Sequence, residues 1–461
     1  MVRLLNAYHP TRTLQLVLYE AMIIALSFVA AFMLRPDPEY YAVLAGGPGL
    51  IQLFLTTGTY LICLYYLDTY DVRTISNRSD LIWRLFWVLG TASVMLAGIE
   101  HFFPHLIVLR GIFVLAILIS SALLLIVRIT FSKVLENPGE PLILVGLSDF
   151  GCAVAQEMRM RPDIGFNVVG YIDDGQGLKN CGPPIPRLGS TDEIEQVVAK
   201  SGVNTLVVGS RERRGRFPVQ ELLRLRMNGV RVYEAAELAA QISGMIAIEN
   251  VLPSSLIFSD GFRLRRRLVW LQRLYSFFLA ALGILITLPV MVLVAIAIKT
   301  DSTGTIIYSQ ERVGKGGKTF RVFKFRSMKQ NAESAGTPQW AVGRDPRITR
   351  VGLFLRTSHL DELPQLWNVL KGDMNLVGPR PERPAFVKVL EEASPFYQYR
   401  HLVRPGVTGW QQVCQGYCST IKEQLDRMRF DLFYIKNISL SLDLFILFKT
   451  GKIMIWGRGA K

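Results

Sequence analysis

Two adjacent carboxylates, Asp361 and Glu362, lie in a stretch of the chain that is dense in arginine and lysine. Neighbouring residues on a helix point about 100° apart, so the two side chains need not do the same job. The surrounding cations are expected to keep both carboxylates ionised and to attract a diphosphate. A carboxylate that attacks phosphorus forms an acyl phosphate, and a divalent ion would neutralise charge on the diphosphate. The plainer alternative, a surface pair that caps a helix, stays open on composition alone.

The charge of the chain favours phosphate-bearing partners. Its 461 residues carry a formal net charge of +15, and 50% of them are apolar although 19% are charged. Such a chain is long enough for two or three domains, with the apolar residues segregated in some of them. The positive charge suits nucleic acid, anionic lipid or phosphorylated substrates. The sequence has no helix-turn-helix, zinc-finger or RNA-binding signature, so we predict phosphates and membrane lipid as partners and no nucleic acid.

Four apolar stretches fill the first third of the chain, roughly at 14–34, 49–67, 81–99 and 106–129. A bilayer core needs about 20 mostly apolar residues per helix, so a four-helix transmembrane region is predicted at 1–135. Arg12 precedes the first stretch, while Arg128 and Lys133 follow the fourth. By the positive-inside rule, the N-terminus and everything after residue 130 lie in the cytoplasm. Glu20, a charge inside the first stretch, is assigned no role.

Residues 136–245 are predicted to form a Rossmann-like cytoplasmic domain. Strand-like segments at 141–145, 168–173 and 205–209 alternate with helical ones, which favours a parallel sheet. Gly146-Leu-Ser-Asp-Phe-Gly151 departs from the dinucleotide fingerprint, because Ser148 occupies the place of its middle glycine. Asp173 or Asp174 lies at about the distance of the ribose-binding acid. We interpret the domain as structural or regulatory, with a cofactor site as the open alternative.

A fifth apolar stretch, about 274–298, follows a linker at 246–265 and contains Pro289. Because proline removes a backbone hydrogen bond, the stretch is either a kinked spanning helix or a re-entrant helix broken at Pro289. Basic segments flank it on both sides, at 263–273 and 299–326. Both segments satisfy the positive-inside rule only if both are cytoplasmic, which favours a helix that enters and leaves on one face.

Residues 266–461 contain an ordered series of short motifs. They are Gln310-Glu-Arg-Val-Gly314, Phe323-Lys-Phe-Arg-Ser-Met328, Asp345-Pro-Arg347, Leu360-Asp-Glu-Leu-Pro-Gln-Leu-Trp-Asn368, Lys371-Gly-Asp373, Leu376-Val-Gly-Pro-Arg-Pro-Glu382, Arg404-Pro-Gly-Val-Thr-Gly-Trp410, Asp431-Leu-Phe-Tyr-Ile-Lys-Asn437 and Asp443. This series resembles the bacterial sugar transferase family, the polyprenyl-phosphate hexose-1-phosphate transferases. The N-terminal architecture resembles the long form of that family, the exopolysaccharide polyprenyl glycosylphosphotransferases.

The resemblance completes the predicted fold class. The chain is expected to be a membrane protein of α plus α/β type, with four N-terminal transmembrane helices and a Rossmann-like parallel-sheet domain. A small α/β catalytic domain with a re-entrant membrane helix at about 274–298 would occupy 266–461. The family's interrupted helix places the break at Pro289. The protein would lie in the bacterial inner membrane, with the catalytic domain on the cytoplasmic face and a possible homodimer formed through the N-terminal part.

The resemblance also implies an activity. A hexose-1-phosphate would pass from a UDP-sugar to undecaprenyl phosphate, with release of UMP, as the first step of an exopolysaccharide or O-antigen unit. Asp361 would attack the sugar-linked phosphate and carry it as a covalent aspartyl-phosphosugar. Glu362 would act as a base or help to hold magnesium, and the sequence does not separate these roles. Mg²⁺ is expected at Asp361 and Glu362. The candidates for gripping phosphates are Lys324, Arg326, Arg356 and Arg380.

Some positions depart from the family pattern. Gln272-Arg273 and Ser276 stand where the family often has Lys-Arg followed by an Asp, which weakens any role for an acidic residue there. The segment 413–418 also differs from the one expected after Gly409-Trp410. If that segment shapes sugar or nucleotide choice, the substrate analogy is in doubt. The transferred sugar is therefore not predicted, and neither is a ligand for the Rossmann-like domain.

Two alternatives compete with the transferase. A membrane-anchored nucleotide-sugar dehydratase or epimerase also joins four spans to a Rossmann domain, but it needs a tight glycine fingerprint and usually a Tyr-x-x-x-Lys pair. Ser148 spoils the fingerprint, and no tyrosine in the chain has lysine four residues on. A non-catalytic scaffold for polysaccharide assembly is the other alternative. The intact Asp361-Glu362 pair and its basic neighbours argue against it.

Overall fold

The computed structural model describes residues 2–4, 7–35, 48–71, 78–103, 110–136, 139–146, 148–175, 185–209, 218–248, 262, 265–329, 347–415 and 420–456. Along the chain, a short strand pair comes first, β1 (Val2–Leu4) with β2 (Ala7–His9). The chain then divides into two compact units, essentially His9–Ala235 and Ala236–Lys461.

The first unit begins with long apolar helices. They are α1 (Thr11–Leu34), α2 (Pro48–Tyr66), α3 (Arg78–Phe102) and α4 (Arg110–Glu136). By length and composition, each of them contains a segment that can cross a membrane. Ile24, Leu64, Val88 and Ala116 pack between the helices, whereas Phe54 and other large apolar side chains face outwards. An outward apolar surface suits lipid, so the prediction of apolar N-terminal membrane helices is confirmed.

A buried ion pair joins α1 to α4 inside this apolar bundle. Arg128 Nε lies 2.6 Å from Glu20 Oε1, and both side chains are 0% exposed. Tyr70 donates its hydroxyl to the other Glu20 oxygen at 2.6 Å, and Arg128 also donates to the carbonyl and hydroxyl of Thr69. A charge in an apolar bundle is tolerated when it is paired in this way. Arg128, counted above as a cytoplasmic flank, is thus the partner of Glu20.

The remainder of the first unit is a five-stranded parallel sheet, as predicted. Its strands are β3 (Glu140–Val145), β4 (Phe166–Ile172), β5 (Arg187–Gly189), β6 (Thr205–Val208) and β7 (Arg231–Glu234). They lie in the order β5-β4-β3-β6-β7, with all pairs parallel. The helices between them are α5 (Asp149–Met160), α6 (Ile194–Ser201) and α7 (Val219–Met227). The strand order reverses between β3 and β6, which is where Rossmann-like folds bind ligands.

The second unit begins earlier than the predicted domain boundary. Helix α8 (Ala235–Ser243) follows β7 directly, and the division of the chain falls at Ala235 rather than at 245. The indole of Trp410 donates to the carbonyl of Gly244 at 2.7 Å, and Ile246 is buried in the core of the second unit. The start of the predicted 246–265 linker therefore packs in this core and is not a free linker. Linker residues 249–261 and 263–264 lie outside the described residues.

The second unit contains α9 (Arg266–Asp301), β8 (Ile307–Val313), β9 (Thr319–Phe325), α10 (Arg350–Thr357), α11 (Gln365–Lys371), β10 (Asn375–Val377), α12 (Pro384–Ala393), β11 (Gly406–Thr408), α13 (Trp410–Cys414), α14 (Ile421–Lys436) and α15 (Leu440–Trp456). β8 and β9 form an antiparallel hairpin, whereas β10 and β11 are parallel. Met374, Val377, Leu432 and Tyr434 lie in the main core.

Helix α9 is longer than the predicted apolar stretch and is continuous. It begins at Arg266 rather than at 274 and ends at Asp301 rather than at 298. Pro289 lies inside the helix, so the predicted break is not an interruption of helical structure. A proline removes only its own hydrogen bond to the preceding turn, and the flanking residues keep theirs, so a kink is the expected effect.

The same unit holds both ends of α9. Near the start, Arg273 donates to the carbonyls of Val369 and Leu370, in the last turn of α11. Near the end, Ile298 packs in a cluster with Phe325 and Leu355. Two separated parts of one helix thus rest on one compact domain.

Candidate active site

The dyad lies on a short turn between α10 and α11. Residues Leu360–Glu362 form a single turn of 3₁₀ helix, preceded by His359 in the left-handed region at φ 56°. Such backbone is uncommon for a residue other than glycine and is typical of functional sites. It reverses the chain after α10 and turns Asp361 inwards, where its side chain is 8% exposed.

Glu362 is held by two cations from separate parts of the chain. Its Oε1 accepts from Lys324 Nζ at 2.6 Å and from Arg380 at 3.1 Å. Lys324 lies on β9, and Arg380 follows β10 by three residues. Burial alone would raise the pKa of Glu362, but the charges of Lys324 and Arg380 hold it well below its usual range. Glu362 is therefore ionised, as the sequence predicts, and the two cations also fix its orientation.

Asp361 differs from its neighbour. Among the described residues, its carboxylate takes part in no hydrogen bond and no ion pair, so its lone pairs are uncommitted. Burial raises the pKa of Asp361 above its usual value, against the opposing charges of Lys324, Arg356 and Arg380. Desolvation thus outweighs the nearby cations at Asp361, in contrast to Glu362, and the expectation that Asp361 is ionised at neutral pH stays a prediction.

Three of the four predicted phosphate-binding cations meet at the dyad. Lys324 and Arg380 contact Glu362 directly, and the charge of Arg356 acts on Asp361. Arg356 donates to the hydroxyl of Ser327 at 2.9 Å.

The structure places the fourth cation, Arg326, elsewhere. Its side chain is 6% exposed and donates to the carbonyls of Ser302 and Thr303 at 2.7 and 2.8 Å. Arg326 thus ties the end of β9 to the loop after α9, and its guanidinium is committed to the backbone there.

A residue that sequence reasoning passed over fixes β9 beside the dyad. Asn368 is fully buried; its side chain accepts from the backbone of Phe323 at 3.0 Å and donates to the carbonyl of Arg321 at 2.7 Å. These bonds on the two sides of Val322 hold the strand that presents Lys324. The available signal was the asparagine that closes the Leu360–Asn368 motif.

Two polar side chains at the described edge of the Rossmann-like sheet bond within the domain. Ser148 Oγ accepts from the backbone of Gly151 at 3.1 Å and donates to the carbonyl of Gly209 at 2.5 Å. Asp174 accepts from the backbone and hydroxyl of Thr191. The serine that departs from the glycine fingerprint thus caps α5 and bridges the ends of β3 and β6, where a pyrophosphate would lie.

Fold and site together define a class: a membrane protein whose α/β unit presents an uncommitted carboxylate beside a cation-bound one, a setting that suits phosphorylated substrates. The chain is a member of the bacterial sugar transferase family, which matches residues 267–457. A second match, to a CoA-binding domain, covers residues 66–209. In the described part of the sheet crevice, Ser148 and Asp174 are hydrogen-bonded within the domain itself.

Named relatives agree with this membership. The chain is 30% identical over 389 residues to an uncharacterized sugar transferase of Haemophilus influenzae, covering 78% of this chain and 79% of the relative. It is 40% identical over 243 residues to a UDP-N-acetylgalactosamine-undecaprenyl-phosphate N-acetylgalactosaminephosphotransferase of Aeromonas hydrophila, covering 52% and 56%. It is 32% identical over 330 residues to a UDP-glucose:undecaprenyl-phosphate glucose-1-phosphate transferase of Xanthomonas campestris pv. campestris, covering 67% and 65%. The chain thus spans less than two thirds of the latter two relatives.

Proposed function

We propose that this chain transfers a hexose-1-phosphate from a UDP-sugar to undecaprenyl phosphate and releases UMP, as the initiating step of exopolysaccharide or O-antigen assembly. A carboxylate oxygen of Asp361 attacks the sugar-linked phosphorus, and the bond from that phosphorus to the UMP oxygen breaks. An oxygen of the lipid phosphate then attacks the aspartyl-phosphosugar and regenerates the carboxylate. The relatives named for N-acetylgalactosamine and for glucose transfer support this reaction class and leave the sugar open.

The asymmetry of the dyad carries the proposal. Asp361 is buried and makes no polar contact among the described residues, so its carboxylate oxygens are available to attack phosphorus. Glu362 is locked by Lys324 and Arg380, so it keeps both cations beside the position where a diphosphate would bind. A surface pair that caps a helix would show neither property.

The lowered pKa of Glu362 bears on its role. A general base works best when its pKa lies near the operating pH, and the two cations hold this carboxylate far below that. This argues against Glu362 as the base for the lipid phosphate. It supports Glu362 as the group that orients Lys324 and Arg380.

Magnesium fits the dyad with substrate present. The described residues contain no cluster of three metal-ligating side chains, and Mg²⁺ is commonly bound through one or two carboxylates together with substrate phosphates. One oxygen of Asp361 and Oε2 of Glu362 would hold it, since both cations bond to Oε1. The ion would neutralise charge on the diphosphate.

The contacts of α9 support a re-entrant helix. A straight helix of 36 residues is about 54 Å long, well beyond the roughly 30 Å of a bilayer core. If α9 crossed the bilayer, Arg273 and Asp301 would lie on opposite faces. One domain binds both, through α11 carbonyls and through the backbone of Val351 at 3.2 Å from Asp301. We propose that both ends lie on the cytoplasmic face of the inner membrane.

The reaction is tested by UMP release from a panel of UDP-sugars, with purified protein, undecaprenyl phosphate and Mg²⁺. We expect release with at least one sugar, none with Asp361→Asn, and full release with the control Glu311→Gln, an exposed strand residue. With UDP-sugar alone, mass spectrometry should find one phosphosugar on the peptide that holds Asp361. Wild-type turnover by Asp361→Asn would refute the nucleophile.

The topology is tested by cysteine labelling in cells. In a background whose five cysteines are replaced by serine, an impermeant maleimide should miss Thr305→Cys, an exposed position just after α9. A cysteine placed in the loop between α1 and α2 is the positive control. Labelling of Thr305→Cys in intact cells would refute re-entrance. The predicted homodimer is checked separately, by mass photometry in detergent.

A further inference from the structure

The segment that presents Arg380 is fixed at three of its carbonyl groups by three separate elements. The backbone of Gly406 donates to Pro379 at 3.0 Å, the guanidinium of Arg400 donates to Arg380 at 2.8 Å, and the backbone of Val313 donates to Glu382 at 2.9 Å. Two of these bonds come from strands β11 and β8. The third comes from a side chain, so it depends on what holds that side chain.

Arg400 is held by buried groups. Its side chain is 4% exposed and forms an ion pair with Asp431 on α14 at 2.8 Å, and Asp431 is 1% exposed. Arg400 also donates to the hydroxyl of Tyr397, whose ring lies 4.9 Å from the guanidinium carbon. A buried ion pair adds little stability over apolar residues of the same volume, because both charges lose water. Its value here is geometric, because the planar guanidinium reaches a carboxylate and a carbonyl together.

We infer that Arg400 and Asp431 are positioning residues for Arg380. Asp431 orients Arg400, Arg400 fixes the peptide of Arg380, and Arg380 faces Glu362 and the substrate diphosphate. Neither residue touches the dyad, and no motif marks Arg400. The inference rests on the proposed function, since it concerns the grip of Arg380 on a UDP-sugar.

The test is a double-mutant cycle on UMP release. Arg400→Lys keeps the positive charge but removes the planar guanidinium, and Asp431→Asn keeps the shape of the side chain but removes its negative charge. Each should lower kcat/KM for the UDP-sugar roughly 10- to 100-fold, mainly by raising KM, because small displacements of a binding group cost about that much. In an Arg380→Ala background, neither change should cause a further loss. The matched control is Asp426→Asn, which breaks an ion pair with Arg429, also 2.8 Å, on the same helix and should leave both constants unchanged.

The outcomes separate the inference from the function it rests on. Full, multiplicative losses in the Arg380→Ala background would overturn the positioning role and leave the transferase intact. No UMP release by the wild type with any UDP-sugar would overturn both. If Asp431→Asn does not fold, Tyr397→Phe removes only the hydroxyl bonded to Arg400. It should show a smaller rise in KM that also disappears without Arg380, and an unchanged KM would count against the inference.

Discussion

Exchanging each dyad carboxylate for its amide should have different effects on stability: a loss at Glu362 and none at Asp361. Glu362→Gln removes the partner of two cations. Breaking a buried ion pair costs about 3–5 kcal/mol, and Lys324 and Arg380 are 24% and 36% exposed, so we reduce the expected loss to about 2 kcal/mol. For a unit of this size, that lowers the apparent melting temperature by roughly 4–8 °C.

Asp361→Asn should leave the melting temperature unchanged or raise it. The pKa of Asp361 is raised in the folded protein, so at neutral pH its ionised form opposes folding, and the amide removes that penalty. The assay is thermal unfolding in detergent with EDTA, so that no metal compensates the charge. Glu311→Gln, at an exposed site, should match the wild type. A destabilisation by Asp361→Asn equal to that of Glu362→Gln would refute the asymmetry on which the proposed mechanism rests.

Three further predictions concern groups around the site and in the membrane bundle. Arg326→Lys should lower the melting temperature and leave KM for the UDP-sugar unchanged, because this guanidinium binds backbone carbonyls. A raised KM would indicate that Arg326 binds a substrate phosphate after all. Glu20→Gln leaves the charge of Arg128 unpaired among apolar helices and should lower the free energy of unfolding by about 3–5 kcal/mol. The lower melting temperature that results should be partly restored in the double variant Glu20→Gln with Arg128→Gln. Burial raises the pKa of Asp431 from 3.8 to about 6, against the charge of Arg400. Between pH about 4 and about 6, the folded state therefore binds this proton more tightly than the unfolded state does. The free energy of unfolding should fall as the pH rises through that range, and Asp431→Asn should remove this dependence.

The sequence predicted the features that depend on local pattern. Apolar runs of membrane length predict α1 to α4, and alternating strand and helix signals predict the parallel sheet. The dyad followed from two carboxylates in a basic setting, with the family motifs around them. Each of these signals lies within a few tens of residues.

Features that depend on pairing between distant parts of the chain were not predictable. Glu20 and Arg128 are 108 positions apart, so neither carries a signal of its partner. Arg326 directly follows β9, two residues after Lys324, and only the path of the loop after α9 explains its hydrogen bonds to backbone carbonyls. The raised pKa of Asp361 depends on burial, which residue types alone do not give.

The left-handed backbone at His359 limits how this site can evolve. A residue there must adopt φ 56° to carry the chain into the dyad turn, whatever its side chain does. Glycine, asparagine and aspartate reach this region at least cost, whereas β-branched residues are outliers there. In a saturation library scored by UMP release, position 359 should therefore accept glycine and asparagine and reject valine, isoleucine and threonine. Relatives that diverge in sugar choice would vary elsewhere and retain a residue that tolerates this turn.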